Sequence, residues 1–157
     1  MGGTGRVHAW DVHEHRVDLI RAAARRLGLE NLRPAVRDAT KLKEDLVGRM
    51  DAVLLDAPCT GLGVMLEKPD VKYRHTREDL AALADLQKRL LDTCCQYVKK
   101  GGTLVYSTCS ILKDENERQA AAFMQRHPEF AVVEPGRQLL PHRDGMDGFY
   151  MIKFVKQ

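Results

Sequence analysis

Two cysteines stand at corresponding places in the chain. Cys59 lies near the end of Asp51-Ala-Val-Leu-Leu-Asp-Ala-Pro-Cys-Thr-Gly61, and Cys109 near the end of Gly102-Thr-Leu-Val-Tyr-Ser-Thr-Cys-Ser110. A thiolate is a strong nucleophile that also leaves again, so a cysteine held at a turn suits transient covalent chemistry. Asp56, three residues before Cys59, adds a carboxylate. Each cysteine follows an apolar run of strand type, rich in Val and Leu, that stops at a small polar turn. A run apolar on both faces reads as a buried strand of a parallel sheet. Ligands of open α/β sheets lie outside the carboxyl ends of the strands. Two thiols and an acid at two such ends therefore predict a reaction site.

The same residues carry a resemblance. Asp56-Ala-Pro-Cys-Thr-Gly61 and Tyr106-Ser-Thr-Cys-Ser110 resemble the paired cysteine motifs of the RNA (cytosine-5)-methyltransferases. The similarity is greatest to the bacterial 16S ribosomal RNA branch of the broader Nop2/Sun-type family. It continues through Lys68-Pro-Asp-Val-Lys72, Leu86-Gln-Lys-Arg-Leu-Leu-Asp92, Asp114-Glu-Asn-Glu117 and Asp147-Gly-Phe-Tyr150, and so covers nearly the whole chain. The two motifs in this order, with that spacing, are highly specific, whereas a lone Pro-Cys would carry little.

The elements that must hold these turns follow from periodicity. Gly5 to Val12 reads as a strand ending at Asp11. A helix follows from Glu14 to Leu27, with Val17, Ile20, Ala23, Ala24 and Leu27 as its apolar stripe and Gly28 as its stop. Leu32 to Arg37 reads as a second strand with Asp38 at its end, and Met50 to Asp56 as a third. Thr60 to Thr76 is a long irregular connection. Thr76-Arg-Glu-Asp79 is a capping-box variant opening a helix that Lys99, Lys100 and Gly101 would close. Thr103 to Thr108 is a fourth strand. Asp114, with Glu117 three residues on, is expected to cap a helix that runs to His127. Phe130 to Glu134 and Phe149 to Val155 read as strands, with loop between them through Pro135, Gly136, Pro141 and Gly145.

This alternation predicts a doubly wound α/β fold with a mostly parallel sheet. A length of 157 residues predicts a single domain with a real core. The apolar fraction of 44% and charged fraction of 30% are those of a soluble globular protein, and no apolar run is long enough to span a bilayer. A net charge of +3 permits a nucleic-acid partner without arguing for one. Four cysteines without a secretory signal or Cys-x-x-Cys spacing point to free thiols in a reducing cytoplasm. Adjacent Cys94 and Cys95 read as core filling.

Weaker features compete with plain readings. Met1-Gly-Gly-Thr-Gly5 precedes a strand, whereas a phosphate-binding turn must follow one, so a linker is expected there. His8, His13 and His15 lack the carboxylates that usually support metal ligands. Lys68, Lys72, Arg74 and Arg77, with Tyr73 among them, suit RNA phosphates and a stacked base. Glu67, Asp70, Glu78 and Asp79 nearly balance that charge, so a solvated loop is an equal reading.

The resemblance implies a fold of the class I S-adenosylmethionine methyltransferase (Rossmann-like) type. It also implies S-adenosylmethionine as methyl donor and RNA, ribosomal RNA in this branch, as substrate. Cytosine C5 is a poor nucleophile until a thiolate adds to C6, and a carboxyl group near N3 stabilises the changing charge on the ring. By resemblance Cys109 is the nucleophile and Cys59 assists release. Asp56 contacts the target cytosine or the donor's methionine end. Asp11, after Trp10, matches the acid that holds the donor's ribose, and Asp38 the acid near its adenine amino group. An Asp at a strand end also caps the next helix, which is the competing reading for both. A non-catalytic RNA-binding or assembly fragment and a thiol hydrolase or redox enzyme using Cys59 or Cys109 are the alternative functions, and the latter requires a histidine beside one of those two cysteines.

Family members precede the strand ending at Asp11 with a further strand and an Ala-Pro-Gly-Gly-Lys-type turn. Neither stands in this sequence, so a partial catalytic domain lacking the first strand and glycine-rich turn is expected. A sheet without that strand would leave roughly 10 Å between its flanking strands, and open edges of that kind promote self-association. The isolated chain is accordingly expected to bind the donor weakly and to lack activity.

Overall fold

The computed structural model describes residues 2–157; Met1, the first residue of the glycine-rich start, lies outside them. The chain divides into two compact units, Met1–Lys41 and Leu42–Gln157.

The first unit is one βαβ turn. Strand β1 (Val7–Asp11) pairs in parallel with β2 (Leu32–Val36), placing Asp11 opposite Val36. Helix α1 (Glu14–Arg26) connects them and buries Val17 and Ala24. It ends in a Schellman arrangement: Gly28, at φ 63°, donates to Arg25 O, and Leu29 donates to Ala24 O. Leu27 therefore falls beyond the helix and is exposed, not part of the apolar stripe.

The second unit holds a four-stranded sheet in the order β3-β4-β6-β5. Strand β3 (Met50–Asp56) runs parallel to β4 (Val98–Thr108). Strand β6 (Phe149–Lys156) is antiparallel to both β4 and β5 (Phe130–Leu139), so three of the four strands share one direction. The core joins this sheet to α2 (Arg77–Tyr97) and α3 (Glu117–Arg126). Leu91, Leu104, Tyr106, Phe123, Phe130, Tyr150 and Phe154 are its largest apolar members. Phe123 packs 4.7 Å from Phe154 and 5.3 Å from Phe130 between ring centres. The architecture is the mixed α/β, mostly parallel type that the alternation predicts.

Three boundaries differ from expectation. Helix α2 opens on the predicted capping box, Thr76 Oγ1 accepting from Asp79 N and Asp79 accepting from Thr76 N. It stops at Tyr97, however, and Val98 is already extended. Gly101 (φ 74°) lies in a bulge where β4 residues 98–103 face only Met50–Ala52 of β3. Strand β5 continues through Pro135 and Gly136 to Leu139, where a loop is expected. An edge strand tolerates the proline, and two register shifts absorb the extra residues. Gly136 is required there because any Cβ would meet Tyr150 Oη at 2.3 Å. Asp114 does not cap α3. The helix starts at Glu117 after turns stitched by Glu115 N to Leu112 O and Asn116 N to Lys113 O, and Asp114 pairs outward with Arg118.

Candidate active site

Strands β3 and β4 run parallel with Asp56 opposite Ser107, so both turns leave the same end of the sheet. Ala57 N donates to Ser107 O at 2.9 Å, and Ser107 Oγ donates to Asp56 Oδ1 at 3.0 Å. Two residues beyond Ser107 and three beyond Asp56, the Sγ atoms of Cys109 and Cys59 meet at 3.1 Å. Both thiols are half-buried and Asp56 is exposed.

The close contact makes the two sulfurs unequal. A hydrogen bond from Cys59 S–H stabilises a Cys109 thiolate and lowers that thiol to about 7, against the effects of burial and of the Asp56 carboxylate. Cys59 is pushed far upward because its S–H is committed to Cys109 and because it is buried. The contact therefore favours the thiolate on Cys109 over the thiolate on Cys59. Neither cysteine has a histidine partner among the described residues, which removes the geometry that the hydrolase reading needs. Cys94 and Cys95 are buried and desolvation raises them to about 11 and about 12, as core cysteines should be.

Residues that sequence reasoning passed over hold the two turns. Glu115, only 2% exposed, accepts from Thr60 N (2.9 Å), Thr60 Oγ1 (2.7 Å), Gln87 Nε2 (3.0 Å) and Ser110 Oγ. Asn116 Oδ1 accepts from Thr108 Oγ1 at 2.5 Å, and its Nδ2 donates to Ser110 O at 2.9 Å, gripping both neighbours of Cys109. Gly63 N donates to Cys109 O at 2.9 Å, and Gly148 N donates to Gly63 O at 2.8 Å. A Cβ on Gly63 would stand 1.8 Å from Gly148 O, so only glycine permits this three-segment contact. His75 Nε2 lies 3.1 Å from Thr60 O. The signals in the sequence were the segments Leu86–Asp92, Asp114–Glu117 and Asp147–Tyr150 of the resemblance, which hold Gln87, Glu115, Asn116 and Gly148 but do not reveal their contacts.

In the first unit, Asp11 is the last residue of β1 and Asp38 stands two residues past the end of its parallel neighbour β2. Asp11 Oδ1 accepts from His13 N at 2.8 Å and Oδ2 lies 3.5 Å from Arg16. The His13 N–H, and then Arg16, hold Asp11 below the usual carboxylate range against slight burial. Asp38 Oδ1 accepts from Thr40 N and Thr40 Oγ1. Both acids make local turn contacts, but neither caps a helix as the competing reading requires: α1 opens at His13 without a side-chain cap. Carboxylates at neighbouring strand ends are acceptors of the kind that the hydroxyl and amino donors of an adenosine group take up.

The remaining candidates separate. Tyr73 is 81% exposed with Lys72 Nζ 4.8 Å from its ring centre, whereas Arg74 is spent on Asp70. The rings of His13 and His15 lie 5.5 Å apart, tilted by 34°, and no group of three His, Cys, Asp or Glu among the described residues could hold a metal ion. Among those residues, no helix is long and apolar enough to cross a membrane.

Comparison with known proteins bears on this arrangement. Residues 1–155 match the family described as 16S rRNA methyltransferase RsmB/F. The chain is 41% identical to a probable ribosomal RNA small subunit methyltransferase B of Bacillus subtilis over 174 residues, covering all of this chain and 39% of that protein. It is 46% identical over 114 residues to ribosomal RNA small subunit methyltransferase B of Vibrio cholerae, covering 69% of this chain and 26% of that one. The crystal structure of NSun6 from Pyrococcus horikoshii with SFG, an S-adenosylmethionine analogue, superposes with a TM-score of 0.85 at 30% identity, over 98% of this chain and 42% of that one. The chain spans about two fifths or less of the length of these relatives. With a class I methyltransferase fold and this coverage, the chain belongs to the RsmB/F family of 16S rRNA methyltransferases.

Proposed function

We propose that this chain is the cysteine-bearing part of an enzyme that methylates C5 of cytosine in RNA, with small-subunit ribosomal RNA as substrate. The observation that supports this most is the 3.1 Å contact between Cys59 and Cys109 beside Asp56 at one end of the sheet. The family and its relatives support a methyltransferase. The paired thiols support the cytosine C5 chemistry within it.

When bound, S-adenosylmethionine supplies an electrophilic methyl group. Asp11 would accept from its ribose hydroxyls and Asp38 from its adenine amino group. Cys109, as thiolate, adds to C6 of the cytosine and raises electron density at C5, which takes the methyl. Asp56, exposed at the same strand end, would hold a proton toward N3, neutralising the negative charge that thiolate addition places on the ring. Solvent at this exposed strand end takes the C5 proton, and the electron pair left behind restores the C5–C6 double bond and expels Cys109 as thiolate. Cys59 then hydrogen-bonds through its S–H to the departing sulfur and stabilises it as a leaving group.

Transfer of labelled methyl to small-subunit RNA tests the reading. The protein used is one that carries this chain within the full length of its relatives. The expected product is 5-methylcytidine after digestion. Label on another atom, or on none while the donor binds, would contradict it.

A further inference from the structure

We infer that the buried Glu115 is a positioning residue: it clamps the Cys59 turn to the Cys109 turn and so sets the contact between the two thiols. For catalysis this rests on the reading of Cys109 as the attacking thiol.

Thr60 and Ser110 are the residues directly after the two cysteines. Glu115 binds both at once, Oε1 taking Thr60 N and Oε2 taking both hydroxyls, which also lie 3.2 Å from each other. Removing a carboxylate from water is costly, and no lysine or arginine pairs with this one among the described residues. Four hydrogen-bond donors surround it instead. A hydrophobic side chain of that volume would fill the space but could not link the turns.

Its neighbours are arranged to keep it in place. Tyr106 Oη donates to Glu115 O at 2.6 Å and anchors the backbone. Gln87, fully buried in mid-helix, donates both to Glu115 and to Pro58 O at 3.0 Å. That orientation leaves Gln87 Oε1 buried without a partner, a cost accepted to bring both amide hydrogens to the Cys59 turn and its clamp. Glutamine at position 115 could keep the link, since its oxygen can take Thr60 N while the hydroxyls rotate to accept from its amide. Alanine could not.

The chain itself suffices for the test, without RNA or donor, so failure here is distinct from failure of the methyltransferase reading. Two readouts are taken: the pH midpoint of Cys109 alkylation by iodoacetamide, located by peptide mass spectrometry, and the rate at which diamide joins Cys59 to Cys109. In that oxidation the two thiols lose two hydrogens to the diazene and gain one S–S bond. Wild type should show a midpoint near 7. Glu115→Ala should move it toward the ordinary thiol value of about 8.5. The same variant should slow pair oxidation about tenfold as the effective concentration of one thiol at the other falls. Glu115→Gln should keep the oxidation rate and hold the midpoint at or slightly below its wild-type value, since the Glu115 charge raises the Cys109 thiol. Ser110→Ala, which deletes one hydroxyl, should shift both in the same direction but less, and carries the test if Glu115→Ala does not fold. Wild-type behaviour in Glu115→Ala and Ser110→Ala would overturn the inference, as would Glu115→Gln failing in the same measure as alanine.

Discussion

Cys59 and Cys109, fifty residues apart in the chain, touch through their sulfurs at 3.1 Å. Their strands are parallel neighbours, so residues just past the ends of both must emerge side by side. The contact gives the two thiols opposite tendencies, and a pH profile reads that directly. A lowered value means that the thiolate forms at lower pH than in an ordinary cysteine. Alkylation of Cys109 should therefore rise through a midpoint near 7 and level off above it, while Cys59 stays unmodified. Cys59→Ala removes the hydrogen bond and should move the midpoint upward. An unchanged midpoint in that variant would show that the contact does not control Cys109.

The two donor acids differ in the number of groups assigned to each. In a protein with the full length of its relatives, Asp11→Ala should weaken S-adenosylmethionine binding by about 1.5–3 kcal/mol, the size of a hydrogen bond to a charged group. Asp38→Ala should weaken it less, since one amino group is assigned to it. Calorimetry showing full affinity in both variants would remove these residues from the donor site.

Much of this arrangement is legible in the sequence because it rests on local signals. The apolar runs before Cys59 and Cys109 announce parallel strands, and strand neighbours bring the cysteines together. The second run is buried as expected, but the first is not: β3 is an edge strand of its four-stranded sheet, and its Leu54 is 72% exposed. The capping box at Thr76 and Asp79 is a contact within one turn. What escaped depends on contacts between distant segments. Glu115 reads as a polar residue at a helix start, and only Thr60, Gln87 and Ser110 reveal it as a buried acceptor. Asp114, beside it, has the expected capping type but turns outward to Arg118, because Glu115 and Asn116 are drawn inward. The continuation of β5 past Pro135 depends on the free edge and on the Tyr150 ring beneath Gly136.

Gly63 and Gly148 should tolerate no side chain. A Cβ on Gly148 would lie 2.7 Å from Gly63 Cα and 2.5 Å from Ile111 Cγ2. Gly148→Ala should cost about 1–3 kcal/mol through overpacking and lower the alkylation rate of Cys109, whose carbonyl Gly63 holds. Denaturant melts and the iodoacetamide rate check both effects. Full stability would mean that the three segments are not in contact.

Asp92 illustrates a structural carboxylate away from the cysteines. Burial disfavours its charge, but hydrogen bonds from His127 (2.9 Å), Arg126 (2.9 and 3.0 Å) and Lys88 outweigh that and hold it below the usual carboxylate range. A folded value below the unfolded one stabilises the fold above the ordinary carboxylate range, and that stability is lost as pH falls through the folded value. Asp92→Asn should therefore cost about 1–3 kcal/mol at pH 7 and much less near pH 3. Urea melts at the two pH values would show it, and an equal loss at both would contradict the ionic account.

The central claim is that Cys109 attacks cytosine, and a covalent trap tests it most directly. RNA containing 5-fluorocytosine cannot lose a proton from C5, so the attacking cysteine stays bonded to C6. With a protein of full family length and S-adenosylmethionine present, wild type should form an adduct mapped to Cys109. Cys109→Ser should form none, and Cys59→Ala should retain a methylated adduct even on ordinary RNA. An adduct that persists in Cys109→Ser, or that maps to Cys59, would contradict the assignment.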